Sequence, residues 1–218
     1  MKEKAGAVFS IADENEPVPG CTLSKLVSDA GGYGISYFSL AAGTDISPET
    51  YAYPKLIFVA GGSLEITGGD APIPAKAGEA VVTPTGTPVG CSAEEGAVYT
   101  EISLLASSNL GPGLVPGKVF APKNLLPCLP DRILNTDLVK DPGLKFVVMS
   151  FGAGTGLSEH AAPGDALVFA LAGEGVLGYE GKEFAVRPGE TFKFAKNARH
   201  WVKAPKDFKM ALLLELAA

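Results

Sequence analysis

Similar segments of this sequence recur at one fixed distance, 111 residues. LIFVAGG, ending at Gly62, is answered by LVFALAG, ending at Gly173. The same offset relates Gly6 to Gly117, Val8-Phe9 to Val119-Phe120, Ala42-Gly43-Thr44 to Ala153-Gly154-Thr155, and Gly78-Glu79 to Gly189-Glu190. A register held across separated segments constrains the fold more than any local motif, because both copies must form the same unit. It slips only at Leu26-Val27 and Leu138-Val139, where the offset reads 112. Two tandem domains are expected, residues 1–108 and 117–218, joined by the Gly/Pro-rich linker 109–116.

Within each copy the local signals are β. Tyr33 to Leu40 and Leu144 to Phe151 are rich in aromatic and β-branched residues and end before a Gly turn. Leu56 to Ala60 and Leu167 to Ala172 are short apolar strands, continued after glycine by Ser63 to Thr67 and Gly175 to Tyr179. GGD (68–70) and EGK (180–182) then mark hairpin turns. Ala80 to Thr83, Thr191 to Phe194, Val98 to Leu105 and Lys209 to Leu216 complete the set. Helical turns are expected only at Leu23 to Asp29 and Leu134 to Lys140. The 27 glycines and 17 prolines of the 218 residues agree with many short strands and turns. The expected class is all-β, two jelly-roll barrels of roughly 100 residues each.

Composition narrows the partners. A net charge of −6 with no basic block excludes phosphate-driven nucleic-acid binding. No apolar run approaches the roughly 20 residues of a membrane helix. MKEKAGAVFS lacks the apolar core of a signal peptide, and Cys21, Cys91 and Cys128 are scattered without CxxC spacing. Reduced thiols and a cytoplasmic location follow as expectations. Apolar edges such as Met210 to Leu216 would be covered by a homodimer.

The only histidines are His160, in GTGLSEHAAPGDALVFALAGEG, and His200, in RPGETFKFAKNARHW. Gly154, His160, Pro163, Gly173, Pro188-Gly189 and His200 resemble the two motifs of the cupin family, and both copies fit its frame, as in a bicupin. The Glu-His…Pro-x-Asp-Ala pattern is similar to a group of small cupins, many without a known reaction. The resemblance implies two cupin barrels and, in the enzymatic members, a divalent metal (Zn, Ni, Fe or Mn) on three histidines and a glutamate. His160 matches the first histidine and His200 the last; the second falls on Ala162, and the glutamate on Ala166 or Asp165. His160, His200 and Asp165 are therefore the candidate metal ligands, and the C-terminal copy holds the candidate site.

The first copy has no histidine. The offset sets Glu49 opposite His160, Tyr51 opposite Ala162, Lys55 opposite Ala166 and Val89 opposite His200. Glu49, Tyr51, Tyr53 and Lys55 read either as a polar pocket or, in preference, as a solvated loop between Pro48 and Pro54. Cys91 reads as a buried thiol near that pocket. Three functions stay open: a small-molecule-binding barrel, a metal-dependent dioxygenase, isomerase or decarboxylase at His160 and His200, and a structural module. Binding ranks first, since the ligand set is incomplete.

Overall fold

The computed structural model describes residues 1–68 and 71–216. The first repeat runs through β1 (Val8–Ser10), β2 (Thr22–Ser28), β3 (Ile35–Leu40), β4 (Thr44–Thr50), β5 (Lys55–Thr67), β6 (Ile73–Lys76), β7 (Ala80–Val82), β8 (Pro88–Ala93) and β9 (Ala97–Ser103). The second runs through β10 (Val119–Phe120), β11 (Ile133–Lys140), β12 (Leu144–Phe151), β13 (Gly156–Ala161), β14 (Ala166–Gly173), β15 (Gly175–Tyr179), β16 (Lys182–Val186), β17 (Glu190–Phe194), β18 (Arg199–Lys203) and β19 (Phe208–Glu215). Each copy is a jelly-roll barrel, so the all-β, two-barrel expectation holds.

In the C-terminal barrel a sheet ordered β1-β17-β14-β19-β12-β11 faces a second ordered β13-β18-β15-β16. The N-terminal barrel repeats this as β10-β7-β5-β9-β3-β2, with β6 and β8 paired along the far half of the long β5 and β4 paired to β8. The compact units do not follow the expected limits of 1–108 and 117–218. Met1–Ser10 belongs with the C-terminal barrel and Gly113–Ala121 with the N-terminal one. The reason is strand pairing: β1 joins β17 through Val8↔Phe192, and β10 joins β7 through Val119↔Val81.

Register confirms the repeat more finely than residue identity does. Leu157↔Val202 and His160↔His200 in one barrel stand where Ile46↔Cys91 and Glu49↔Val89 stand in the other. The bulge between Ala170 and Ala172 repeats the one between Val59 and Gly61. The expected slip near Leu26-Val27 is absent from the structure. Bulges between Leu26 and Ser28 and between Asp137 and Val139 keep the 111-residue offset, so Val27 matches Leu138.

Other expectations need correction. Leu23 to Asp29 and Leu134 to Lys140 are not helical: β2 and β11 pair with β3 and β12, and sheet hydrogen bonds override weak local turn signals. Met210 to Leu216 is no free edge, because β19 is bonded to β12 on one side and β14 on the other. The edge argument for a homodimer therefore lapses. The EGK hairpin forms as expected, with Glu180 and Gly181 at φ 48° and 77°. The GGD turn includes Gly69 and Asp70, which lie outside the described residues. Gly62 and Gly173 end their segments for a steric reason. Both have positive φ, and an added Cβ would stand 2.1 Å from the Gly96 carbonyl oxygen and 2.0 Å from that of Asp207.

Alternation along the strands selects each interior. Ala166, Val168 and Ala170 of β14 join Phe151, Phe192, Phe194, Phe208 and Met210 in the C-terminal core. In the N-terminal barrel Ile57 and Val59 of β5 join Leu64, Ile66, Cys91 and Tyr99. Phe38, Ile46 and Val89 pack against them from partly open positions. Among the described residues, no helix is long and apolar enough to cross a membrane.

Candidate functional site

The structure brings His160 and His200 together as a directly opposed cross-strand pair on β13 and β18. Their ring centroids are 4.4 Å apart. His160 is exposed, whereas His200 is 5% exposed and stacks on Phe194 at 4.2 Å. Each Nδ1 lies within hydrogen-bond distance of the carbonyl two residues earlier, Ser158 for His160 and Ala198 for His200. A carbonyl only accepts, so each Nδ1 is the donor in its contact. Burial holds the His200 pKa below the usual histidine value; the Ala198 carbonyl opposes this shift and the neighbouring His160 adds to it.

Asp165 is occupied elsewhere. Its carboxylate meets Lys193 Nζ at 2.8 Å and the Met1 amino group at 3.1 Å, and it accepts from the Lys196 amide. Burial alone would raise its pKa, but these donors outweigh it and lower the value. Among the described residues, no three His, Cys, Asp or Glu side chains converge to hold a metal ion. Two imidazoles fall short of the three protein ligands that catalytic metal sites use, so the donor set does not fit a resident metal. The buried side of the pair is also packed: Phe194, 1% exposed, lies beside His200, and Phe192 and Tyr179 pack on Phe194.

A partly open cavity of about 160 Å³ lies instead in the N-terminal barrel. Glu49, Tyr51, Lys55, Thr83 and Glu101 supply its polar wall, and Phe38, Ile46, Ile57, Val89, Cys91 and Tyr99 its apolar body. The preferred reading of Glu49, Tyr51 and Lys55 as a solvated loop is therefore corrected, while Tyr53 does not line the cavity. The polar groups form a chain. Lys55 Nζ meets Glu101 at 3.0 Å and sits 3.8 Å from the Tyr51 ring centre, and the Tyr51 hydroxyl donates to Glu49. Burial pulls the Lys55 pKa down, but Glu101 and Tyr51 more than compensate, and the amine stays protonated. The hydrogen bond to Glu49, reinforced by burial, raises the Tyr51 pKa.

Deeper in, Cys91 Sγ and the Tyr99 hydroxyl are 3.5 Å apart, and Phe38 stacks on Tyr99 at 5.1 Å. Burial raises both the thiol and the phenol pKa, so Cys91 is an inert thiol rather than a nucleophile.

The offset explains why one barrel is hollow and the other filled. Thr83 stands where the C-terminal barrel has Phe194, Glu101 where it has Leu212, and Lys55 where it has Ala166. Replacing Phe194 by a threonine equivalent opens space, and the Lys55–Glu101 pair furnishes it with charge. Thr83 and Glu101 escape motif reading altogether. Their signal is a polar residue aligned, 111 residues away, with a core position of the other copy.

Fold and site together define an all-β, two-barrel jelly-roll architecture with charged groups set into a cavity of the N-terminal barrel. Residues 147–215 match the family described as Cupin domain. The chain is similar in structure to a Cupin 2 conserved barrel domain protein from Leptotrichia buccalis, with TM-score 0.87, 26% identity and 98% of each chain covered. It shares its fold with AerE from Microcystis aeruginosa, at TM-score 0.55 and 16% identity, covering 92% of this chain and 96% of that one. The fold is also that of a salicylate 1,2-dioxygenase from Pseudaminobacter salicylatoxidans, at TM-score 0.61 and 12% identity, covering 84% and 70%. No curated protein sequence matches the chain significantly. The family match and these barrels support the cupin superfamily for this chain.

Proposed function

We propose that this protein is a small-molecule-binding bicupin whose site is the cavity of the N-terminal barrel. The observation that carries the reading is the cavity itself, with a protonated lysine, two carboxylates and a phenol set into an otherwise apolar wall. Binding sites commonly have this form: concave, mostly apolar, with a few convergent polar groups. This moves the expected site from the C-terminal barrel, where His160 and His200 have too few companion donors and Phe194 fills the space beside His200.

A thermal-shift screen of small polar metabolites tests the reading. Thr83→Phe, which imports the residue found at the equivalent C-terminal position, should abolish every stabilising hit. His160→Ala should retain them. The reverse pattern would return the site to the histidine pair.

A further inference from the structure

We infer that this cavity selects an uncharged molecule of one-ring size that presents an oxygen acceptor, such as an alcohol, phenol or cyclic ketone. The inference rests on the reading of the N-terminal cavity as the binding site and names its ligand class. Size comes first. The cavity of about 160 Å³ is close to the ~150 Å³ engineered cavity known to accept benzene. Its walls suit a ring, because Phe38 and Tyr99, stacked on each other with ring planes 4° from parallel, line it together with Ile57 and Val89.

Charge decides the rest. Lys55 and Glu101 are only 16% and 13% exposed at their side chains and neutralise each other at 3.0 Å. An anion would share the Lys55 ammonium with Glu101 and meet the repulsion of the Glu101 and Glu49 carboxylates that line the same cavity. A cation would lie against the Lys55 ammonium, which already occupies the seat beside the Tyr51 ring. Either charge would leave water for a site whose buried charges, Lys55 and Glu101, already match, while the carboxylate of Glu49, without a cation partner among the described residues, stays exposed to solvent. An uncharged oxygen disturbs neither pair. It also answers a donor: an ammonium carries three N–H groups, and Glu101 takes one while Tyr51 engages another. Deeper in, the Cys91 thiol and Tyr99 hydroxyl lie within hydrogen-bond distance of each other. In the C-terminal barrel, where Ala166 and Leu212 replace the ion pair, Phe194 stands where Thr83 leaves the opening.

Four ring-sized probes that differ only in their head group test this by calorimetric or NMR titration near neutral pH: benzyl alcohol, benzoate, benzylammonium and toluene. Benzyl alcohol should bind about tenfold or more tightly than the other three, the size expected of a hydrogen bond to a charged donor. Lys55→Met/Glu101→Leu, which removes the pair without stranding a carboxylate, should lower benzyl alcohol to the level of toluene and leave toluene unchanged. Tighter binding of benzoate or benzylammonium, lost in Thr83→Phe, would overturn the ligand class while leaving the cavity as the site. Failure of every probe to bind, or binding indifferent to Thr83→Phe, would overturn the class and the site together.

Discussion

The Lys55–Glu101 pair makes a prediction whose size can be worked from its geometry. At 3.0 Å and an effective dielectric constant near 20, the attraction is about 5 kcal/mol. Desolvating the two partly buried ions costs several kcal/mol each, so the pair adds little net stability. Breaking it is another matter. Lys55→Met leaves the Glu101 carboxylate without its cation in a narrow mouth, at a cost of about 2–3 kcal/mol, below the figure for fully buried pairs because some water reaches it. Such a loss lowers the melting temperature by about 5–10 °C in a chain of this length. Lys55→Met/Glu101→Leu, which gives position 101 the residue of Leu212, should stand within about 1 kcal/mol of the parent. Urea denaturation followed by circular dichroism on parent, both single variants and the double variant closes the cycle. Coincidence of two probes checks two-state behaviour, since the chain has two compact units. A double variant as unstable as the two singles added together would refute the reasoning.

Two further outcomes follow from the C-terminal barrel. Gly173→Ala places a Cβ 2.0 Å from the Asp207 carbonyl oxygen at φ +72°, whereas Gly189→Ala, at φ +87°, meets nothing within 4 Å. Gly189→Ala should cost about 1–2 kcal/mol from backbone strain alone, and Gly173→Ala more than about 3 kcal/mol; equal losses would refute the steric account. His200 has a depressed pKa, so below its ordinary value of 6.5 the unfolded chain binds a proton that the native one resists. The stability it contributes is present above 6.5 and is lost as pH falls toward the folded value. Melting curves between pH 8 and 5 should therefore slope less steeply in His200→Gln than in the parent; identical slopes would count against burial as the cause.

Much of the fold is legible in the chain itself. Gly62 and Gly173 are punctuation that only a residue without Cβ can supply, and apolar runs such as Leu167 to Ala172 mark strands without showing which face is the inner one. A spacing of 111 residues then requires two copies of one barrel. Pairing His160 with His200 also follows from motif position. The boundaries do not, because β1 and β10 are too short to declare which barrel they join; hydrogen bonding to β17 and β7 decides it.

The site is where sequence and structure part. Histidines are conspicuous as ligands, and the stretch from Glu49 to Lys55, flanked by Pro48 and Pro54, reads as a loop. A one-dimensional reading sees neither which side chain fills a barrel nor which charge finds a partner 46 positions away, as Lys55 finds Glu101. Sequence alone determined that there are two similar barrels, because periodicity and glycine placement are local properties of the chain. Only the tertiary structure decided that the N-terminal one is hollow. Volume is set by what several strands bring to the same point, and there Thr83 leaves the space that Phe194 takes in its twin.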